Sequence, residues 1–349
     1  NGIFECLEKG AEYIHWDEKR KAYQNQTGDI RRGVGMALFS YKTGVWPISL
    51  EIAGARLSLN QDGSVQLQVG ATEIGQGADT VFSQMAAETL HMDISRVHIV
   101  TQQDTDVTPF DTGAYASRQS FVTGTAVKEC AQQLKQKILE YARTLVPGNV
   151  DRLELEDGYI LADGKPAISL EDLAMESYYS LGNSSVLTAE VSRQVKKNTV
   201  ATGCCFAEVE VDMKLGKIKV LDIVNVHDSG ILLNPQLAAM QVHGGMSMGM
   251  GCGLSEQLLL DEKTGRPLNG TLLDYKLMTT MDTPDLTAEF VELNDPMGPY
   301  GNKALGEPPA IPGAPAIRNA VLHATGIGFA EIPLTPQRLI DGFTKAGLI

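Results

Sequence analysis

Apolar and polar positions change period several times along this chain, and each change predicts an element. Val65, Leu67 and Val69 alternate with Gln66 and Gln68, the period of a half-buried strand. Asn60-Gln61-Asp62-Gly63 just ahead reads as a hairpin turn. Strands are predicted over 35–40, 50–59, 64–69 and 97–101, with a helix over 78–91 on which Val81, Met85, Ala86 and Leu90 fall near helical spacing. Val127, Ala131, Leu134, Ile138, Ala142 and Leu145 mark one face of a long helix that Pro147-Gly148 stops. A hairpin about Asp163-Gly164 and a short helix from Leu170 follow. From Thr202 a second block begins: paired strands over 206–212 and 217–225 about Leu215-Gly216, and a helix or glycine-rich turn opened by Asn234-Pro235. A strand over 287–293, a Gly/Pro-rich loop over 294–315, a helix over 316–325 and a last helix opened by Thr335-Pro336 complete it. The first 30 residues are polar and read as a helix plus connector.

Both halves thus repeat hairpin, glycine-rich turn and helix without clear sequence repetition. The predicted fold class is α+β, two βα lobes with mixed sheets and hairpins and helices packed on the sheets. The expected divisions are 1–31 as an N-terminal connector, 32–198 as a first lobe and 199–349 as a second. The 349 residues, 43% of them hydrophobic, suffice for a large core.

Charge and special residues narrow the function. A formal net charge of −14 argues against nucleic acid or an anionic membrane as partner. No apolar run reaches the length of a membrane span, and no signal-peptide core is present. The missing initiator Met fits a chain that begins inside a longer polypeptide or precursor. Cysteines 6, 130, 204, 205 and 252 form an odd, sparse set, which reads as reduced thiols in a cytoplasmic protein that holds no iron–sulfur cluster of its own. The six histidines never occur as H-x-H or H-E-x-x-H, so zinc is not expected.

Four segments carry chemistry. Gly75-Gln76-Gly77 precedes a helix, where glycines let backbone N–H groups approach a polar or anionic ligand; a tight turn is the plainer reading. Asp111-Thr112-Gly113-Ala114-Tyr115-Ala116-Ser117-Arg118-Gln119 combines small residues with donors at a helix start, suited to a phosphate or nucleotide, or equally an N-cap with a solvated Arg. Gly245-x-Ser247-x-Gly249 formally matches the nucleophile elbow of serine hydrolases, with Asp261 or Asp274 and then His323 in order. That elbow needs a preceding strand, and 236–243 looks helical. The plainer reading there is a helix of small residues with Met246, Met248 and Met250 as core filler. Gly306-Glu307-Pro308-Pro309 fixes a carboxylate on a stiff loop, a candidate general base or a surface acid.

Taken in this order, G-Q-G, S-R-Q, Q-x-x-G-G and G-E-P-P resemble the molybdenum hydroxylase family (xanthine dehydrogenase, aldehyde oxidoreductase, nicotinate dehydrogenase), specifically the second molybdopterin-binding domain of the large subunit. The resemblance runs from about Arg31 to Phe343 and includes Ala207-Glu208-Val209-Glu210-Val211-Asp212. It implies that Gly75, Gln76 and Gly77 contact the pterin and that Ala114 sits against molybdenum with no side-chain ligand, Gly113, Tyr115 and Ala116 beside it. Ser117, Arg118 and Gln119 match members that use the cytosine dinucleotide form of molybdopterin and would bind its diphosphate or pterin, and Gln241 would hydrogen-bond the cofactor. Glu307 would be the catalytic base in hydroxylation with water-derived oxygen. The implied substrate is an N-heteroaromatic compound, a purine such as xanthine first, with nicotinate or an aldehyde as alternatives. Val45 and adjacent Trp46 lie where xanthine oxidases carry a ring-packing aromatic residue, so they are expected at the substrate pocket. The first molybdopterin domain, the iron–sulfur clusters and FAD are absent from this chain, so they are expected on partner domains or subunits of a hetero-oligomer.

Overall fold

The computed structural model describes all residues, 1–349. Two helices, α1 (Ile3–Tyr13) and α2 (Trp16–Ala22), precede strand β1 (Ile30–Lys42). Then come β2 (Ile52–Leu59), β3 (Val65–Val69), α3 (Ala78–Leu90), β4 (Val97–Ile99) and the long α4 (Gln119–Leu145). A small hairpin set follows, β5 (Leu153–Glu156), β6 (Tyr159–Ala162) and β7 (Lys165–Ser169), then α5 (Leu170–Tyr179) and β8 (Thr188–Gln194). The second half holds β9 (Val200–Asp212), β10 (Lys217–Asp228), α6 (Pro235–Leu254), β11 (Leu286–Phe290), α7 (Gly313–Thr325) and α8 (Pro336–Lys345). The α+β class with mixed sheets is therefore the observed one: β10 pairs antiparallel with β9 and parallel with β11, and β3 pairs antiparallel with β2 and parallel with β4.

The chain forms two compact units. The first comprises Asn1–Tyr41, Val200–Asn294 and Lys303–Ile349; the second comprises Lys42–Thr199 and Asp295–Asn302. In the first, the sheet order is β1-β9-β10-β11. Every residue of β9 from 201 to 209 is buried, because helices cover both faces of this central strand. Val209, Val211, Val242, Met246, Ile317, Val321, Leu339 and Phe343 form the core under α6, α7 and α8. Cys6, Ile14, Val34, Cys204, Phe206 and Val224 form the core under α1. In the second unit the order is β4-β3-β2-β8, with α4 laid across β2 and β8 by the predicted face: Val127, Ala131, Leu134, Ile138 and Ala142 are all fully buried.

Local chemistry explains the helix boundaries. Asn234 caps α6 through its side-chain oxygen, which accepts from Leu237 N at 3.0 Å, with Pro235 at the first turn. Ser169 caps α5 in the same way, and Thr335 caps α8. Some expectations shift. β1 is longer than predicted, β11 stops at Phe290, and α7 starts at Gly313, where the glycine and proline content masked the helix. Met246 and Met250 are core filler, but Met248 is 59% exposed on the outer face of α6. The five cysteines are free, and burial pushes the Cys6 and Cys130 thiols up to about 12.

One buried group makes acid stability testable. His227 on β10 lies between the rings of Phe39 (4.9 Å) and Phe290 (6.3 Å), with no hydrogen-bond partner at either ring nitrogen. Desolvation pushes it from 6.5 down to about 3. Below the unfolded value the unfolded chain binds a proton that the folded chain refuses. This contribution is therefore intact above about pH 6.5 and is lost as pH falls toward about 3, at roughly 1.4 kcal/mol per unit. His227→Leu is expected to flatten the fall in urea midpoint between about pH 6.5 and about pH 4. An unchanged slope would assign acid lability elsewhere.

Candidate functional site

The second unit holds the first two chemistry-bearing segments. Gly77, with φ +87°, caps α3. The N–H groups here are not open to an anion as the glycines suggested. Gly75 N and Gly77 N donate to Glu73 Oε1 at 2.7 and 3.0 Å, and Asp79 N donates to Glu73 Oε2 at 3.1 Å. Burial works to raise the Glu73 carboxyl, but these backbone donors together hold it below the ordinary range. Glu73 thus supplies the helix start with its own anion. What remains outward is the bare backbone of Gly75, with φ +95° and nothing within 4 Å of where a side chain would stand. Gln76 Nε2 donates to Gln119 Oε1 at 2.5 Å and to Thr72 O at 3.1 Å, and Gln119 Nε2 donates to the same carbonyl at 3.1 Å. The G-Q-G and S-R-Q segments, 43 residues apart, therefore meet through two carboxamides.

Arg118 is wholly buried and is not a solvated cation. Its Nε donates to Glu51 Oε2, its Nη1 to Asp111 Oδ1 (2.6 Å) and Gly113 O (2.9 Å), and its Nη2 to Ile52 O (2.8 Å). Asp111 Oδ1 also accepts from Gly113 N (2.8 Å) and Oδ2 accepts from Thr123 Oγ1 (2.7 Å). The Arg118 guanidinium carbon lies 5.4 Å from the centre of the Tyr115 ring. Together these bonds fix the loop from Asp111 to Ser117, in which Gly113, Ala116 and Ser117 all have positive φ and Ala114 is exposed. Glu51 extends the network: its Oε1 accepts from Val45 N at 2.5 Å, and Gly44 N donates to Ala116 O at 2.8 Å. The segment bearing Val45 and Trp46 is thus tied to the Ala114 loop. Trp46 is only half-buried, so it is not a core residue.

The first unit holds Gln241, Ser247 and Glu307. Ser247 lies in the middle of α6, with no strand before it, so the serine-hydrolase alternative fails: an elbow needs a strand-to-helix turn to expose its hydroxyl. His323 of the supposed triad instead accepts from Val34 N through Nδ1 at 3.1 Å. Glu307 is exposed and stands just before a 3-10 turn, Pro308–Ala310. Gln241 Nε2 donates to Gly306 O at 2.6 Å, and buried Asn225 Nδ2 donates to Pro309 O at 3.0 Å. Gly245 explains the close seating of α6: a side chain there would come within 2.4 Å of Pro309 Cβ. Sequence reasoning missed Glu51, Glu73 and Asn225. Glu51 had a signal, an acid inside a predicted strand, whereas a capping Glu73 and a buried Asn225 look like surface polar residues.

These surfaces are compatible with an organic group that brings its own metal ligands. Gly75 and Ala114 are exposed positions with no bulky side chain in the way of close approach, while the Gln76 and Gln119 carboxamides brace the two segments behind them. No cluster of His, Cys, Asp or Glu in the chain could hold a metal ion directly.

Residues 9–284 match the molybdopterin cofactor-binding domain family, which makes the class that of a cofactor-binding domain. The chain belongs to that family. It is 51% identical over 351 aligned positions to the putative xanthine dehydrogenase molybdenum-binding subunit XdhA of Escherichia coli, covering 100% of this chain and 47% of that protein. It is 32% identical over 342 positions to the probable hypoxanthine oxidase XdhD of the same organism, covering 98% of this chain and 35% of that protein. Among solved structures, quinoline 2-oxidoreductase from Pseudomonas putida superposes with a TM-score of 0.87 at 24% identity, over 98% of this chain and 45% of the other. The chain spans about half or less of the length of these curated relatives. No helix is long and apolar enough to cross a membrane.

Proposed function

We propose that this chain is the molybdopterin-binding part of a molybdenum hydroxylase that oxidises an N-heteroaromatic substrate, a purine such as xanthine, with oxygen derived from water. The observation that carries this reading is the 51% identity along the whole chain to a relative named for molybdenum binding and xanthine dehydrogenase. When bound, the molybdenum cofactor supplies a Lewis acid and a two-electron acceptor. Glu307 is the base that takes up the proton released as the substrate is hydroxylated. Its loop supports that role, because Gln241 and Asn225 hold the backbone on either side of it. Gln241 acts toward the site by fixing Gly306.

Gly75, Gln76, Gly77, Gly113, Ala114, Tyr115, Ala116, Ser117 and Gln119 would line the cofactor. Arg118 contributes from behind by holding the 111–117 loop. The Ser117-Arg118-Gln119 pattern favours the cytosine dinucleotide form. Val45 and Trp46 would border the substrate, with Trp46 offering a ring face to a heteroaromatic compound. The remaining length of the relatives would correspond to the first molybdopterin domain, and electrons would leave through iron–sulfur and FAD partners. Purified assembly is expected to contain stoichiometric molybdenum, to release CMP on acid hydrolysis, and to oxidise xanthine faster than nicotinate or an aromatic aldehyde. Absence of molybdenum overturns the reading. A different nucleotide overturns the dinucleotide form, and preference for nicotinate or an aldehyde overturns the substrate.

A further inference from the structure

We propose that Tyr41 is a positioning residue for Glu307, its phenol hydroxyl setting the orientation of the carboxylate; the inference rests on Glu307 acting as the base. Strand alternation places Gly33, Gly35, Phe39 and Tyr41 on one face of β1. At Gly33 and Gly35 that face lies backbone to backbone on α7: a side chain at Gly35 would meet Ala320 N at 2.1 Å and Ala316 O at 2.4 Å, and one at Gly33 would meet Ala320 O at 2.1 Å. β1 therefore runs toward its C-terminal end as α7 runs back toward its start. Phe39, at 5% exposure, fills the space against His227. Two residues on, Tyr41 passes the N-terminus of α7 and reaches the segment that precedes it. There its hydroxyl donates to Glu307 Oε2.

The bonds from Gln241 and Asn225 fix main-chain carbonyls and do not themselves act on the three side-chain torsions of Glu307. The Tyr41 bond acts on the carboxylate itself. A charge-assisted O–H···O⁻ bond is short and directional, so it selects one carboxylate orientation from those the backbone allows. Holding a base in the productive geometry accelerates proton transfer without changing substrate affinity.

In the assembled holoenzyme, Tyr41→Phe keeps the ring and removes the donor. It is expected to lower kcat about 5–20-fold with KM within about twofold, at unchanged molybdenum content and melting temperature. Adding Tyr41→Phe to Glu307→Gln is expected to cost little beyond Glu307→Gln alone, since the two act as one unit. A readout independent of turnover is modification by a water-soluble carbodiimide with an amine nucleophile, followed by peptide mass spectrometry. Glu307 is expected to label several-fold faster in Tyr41→Phe, while other exposed acids are unchanged. Wild-type kcat together with wild-type labelling of Glu307 overturns the positioning role. If Tyr41→Phe melts early, the labelling rate measured below its transition decides. Full activity in Glu307→Gln sinks the base assignment, a result separable from either outcome at Tyr41.

Discussion

Glu307→Gln in the assembled holoenzyme is expected to keep its molybdenum and its melting temperature and to lose turnover by about 10²–10⁴-fold. Glutamine preserves the length and shape of the side chain, and its carbonyl can still accept the Tyr41 hydroxyl. What it lacks is the capacity to take a proton. Because Glu307 is exposed on this chain, the exchange leaves no buried charge behind, so stability and chemistry separate cleanly. Steady-state kinetics with metal analysis on the same preparation is the measurement. Turnover within a fewfold of wild type would show that proton uptake belongs to another group.

The second large effect is on stability. Arg118→Leu is expected to cost about 3–5 kcal/mol, because Glu51 and Asp111 would remain in the interior without their cation. The loss is read as a lower urea midpoint at unchanged slope. It should be accompanied by loss of cofactor, since the guanidinium also holds Gly113 O. Arg118→Lys should recover only part of the loss: an ammonium cannot reach two carboxylates and two carbonyls in one plane. Removing the charges together, as Glu51→Gln with Arg118→Met, should be milder than Arg118→Leu alone, because the orphaned anion is then reduced to Asp111. Equal midpoints for wild type and Arg118→Leu would mean that the network does not bear on stability.

How legible this molecule was in its sequence depends on the range of the interaction. The α4 face from Val127 to Ala142 and the Val65-Leu67-Val69 alternation are local periodicities, and they folded as read. β8 was not read, because its two buried residues, Ala189 and Val191, sit among Glu190, Ser192 and Arg193 on a sheet edge. The order of the glycine-bearing motifs pointed to the family, which the match over residues 9–284 established. The roles inside those motifs were less visible. Nothing local distinguishes an Arg that binds phosphate from one that closes on Glu51, 67 residues away in sequence. Nor does G-Q-G reveal that Glu73, two residues before it, takes up its amide donors. The Gly245-x-Ser247-x-Gly249 match shows the converse: a short pattern without its flanking strand spells out small residues for tight helix packing and no nucleophile.

The glycines at 33 and 35 carry one more implication. Where a strand and a helix touch through their main chains, no side chain stands between them to be enlarged, trimmed or re-rotated. The spacing of β1 and α7 at Gly33 and Gly35 is therefore set by van der Waals contact of peptide groups, the least adjustable spacer that a protein has. Exchanges elsewhere in the hydrophobic interior of this unit should change how much heat or denaturant it survives long before they alter the separation of the two side chains at its rim. Engineering aimed at tolerance and engineering aimed at reaction can thus proceed on different residues, with little trade between them.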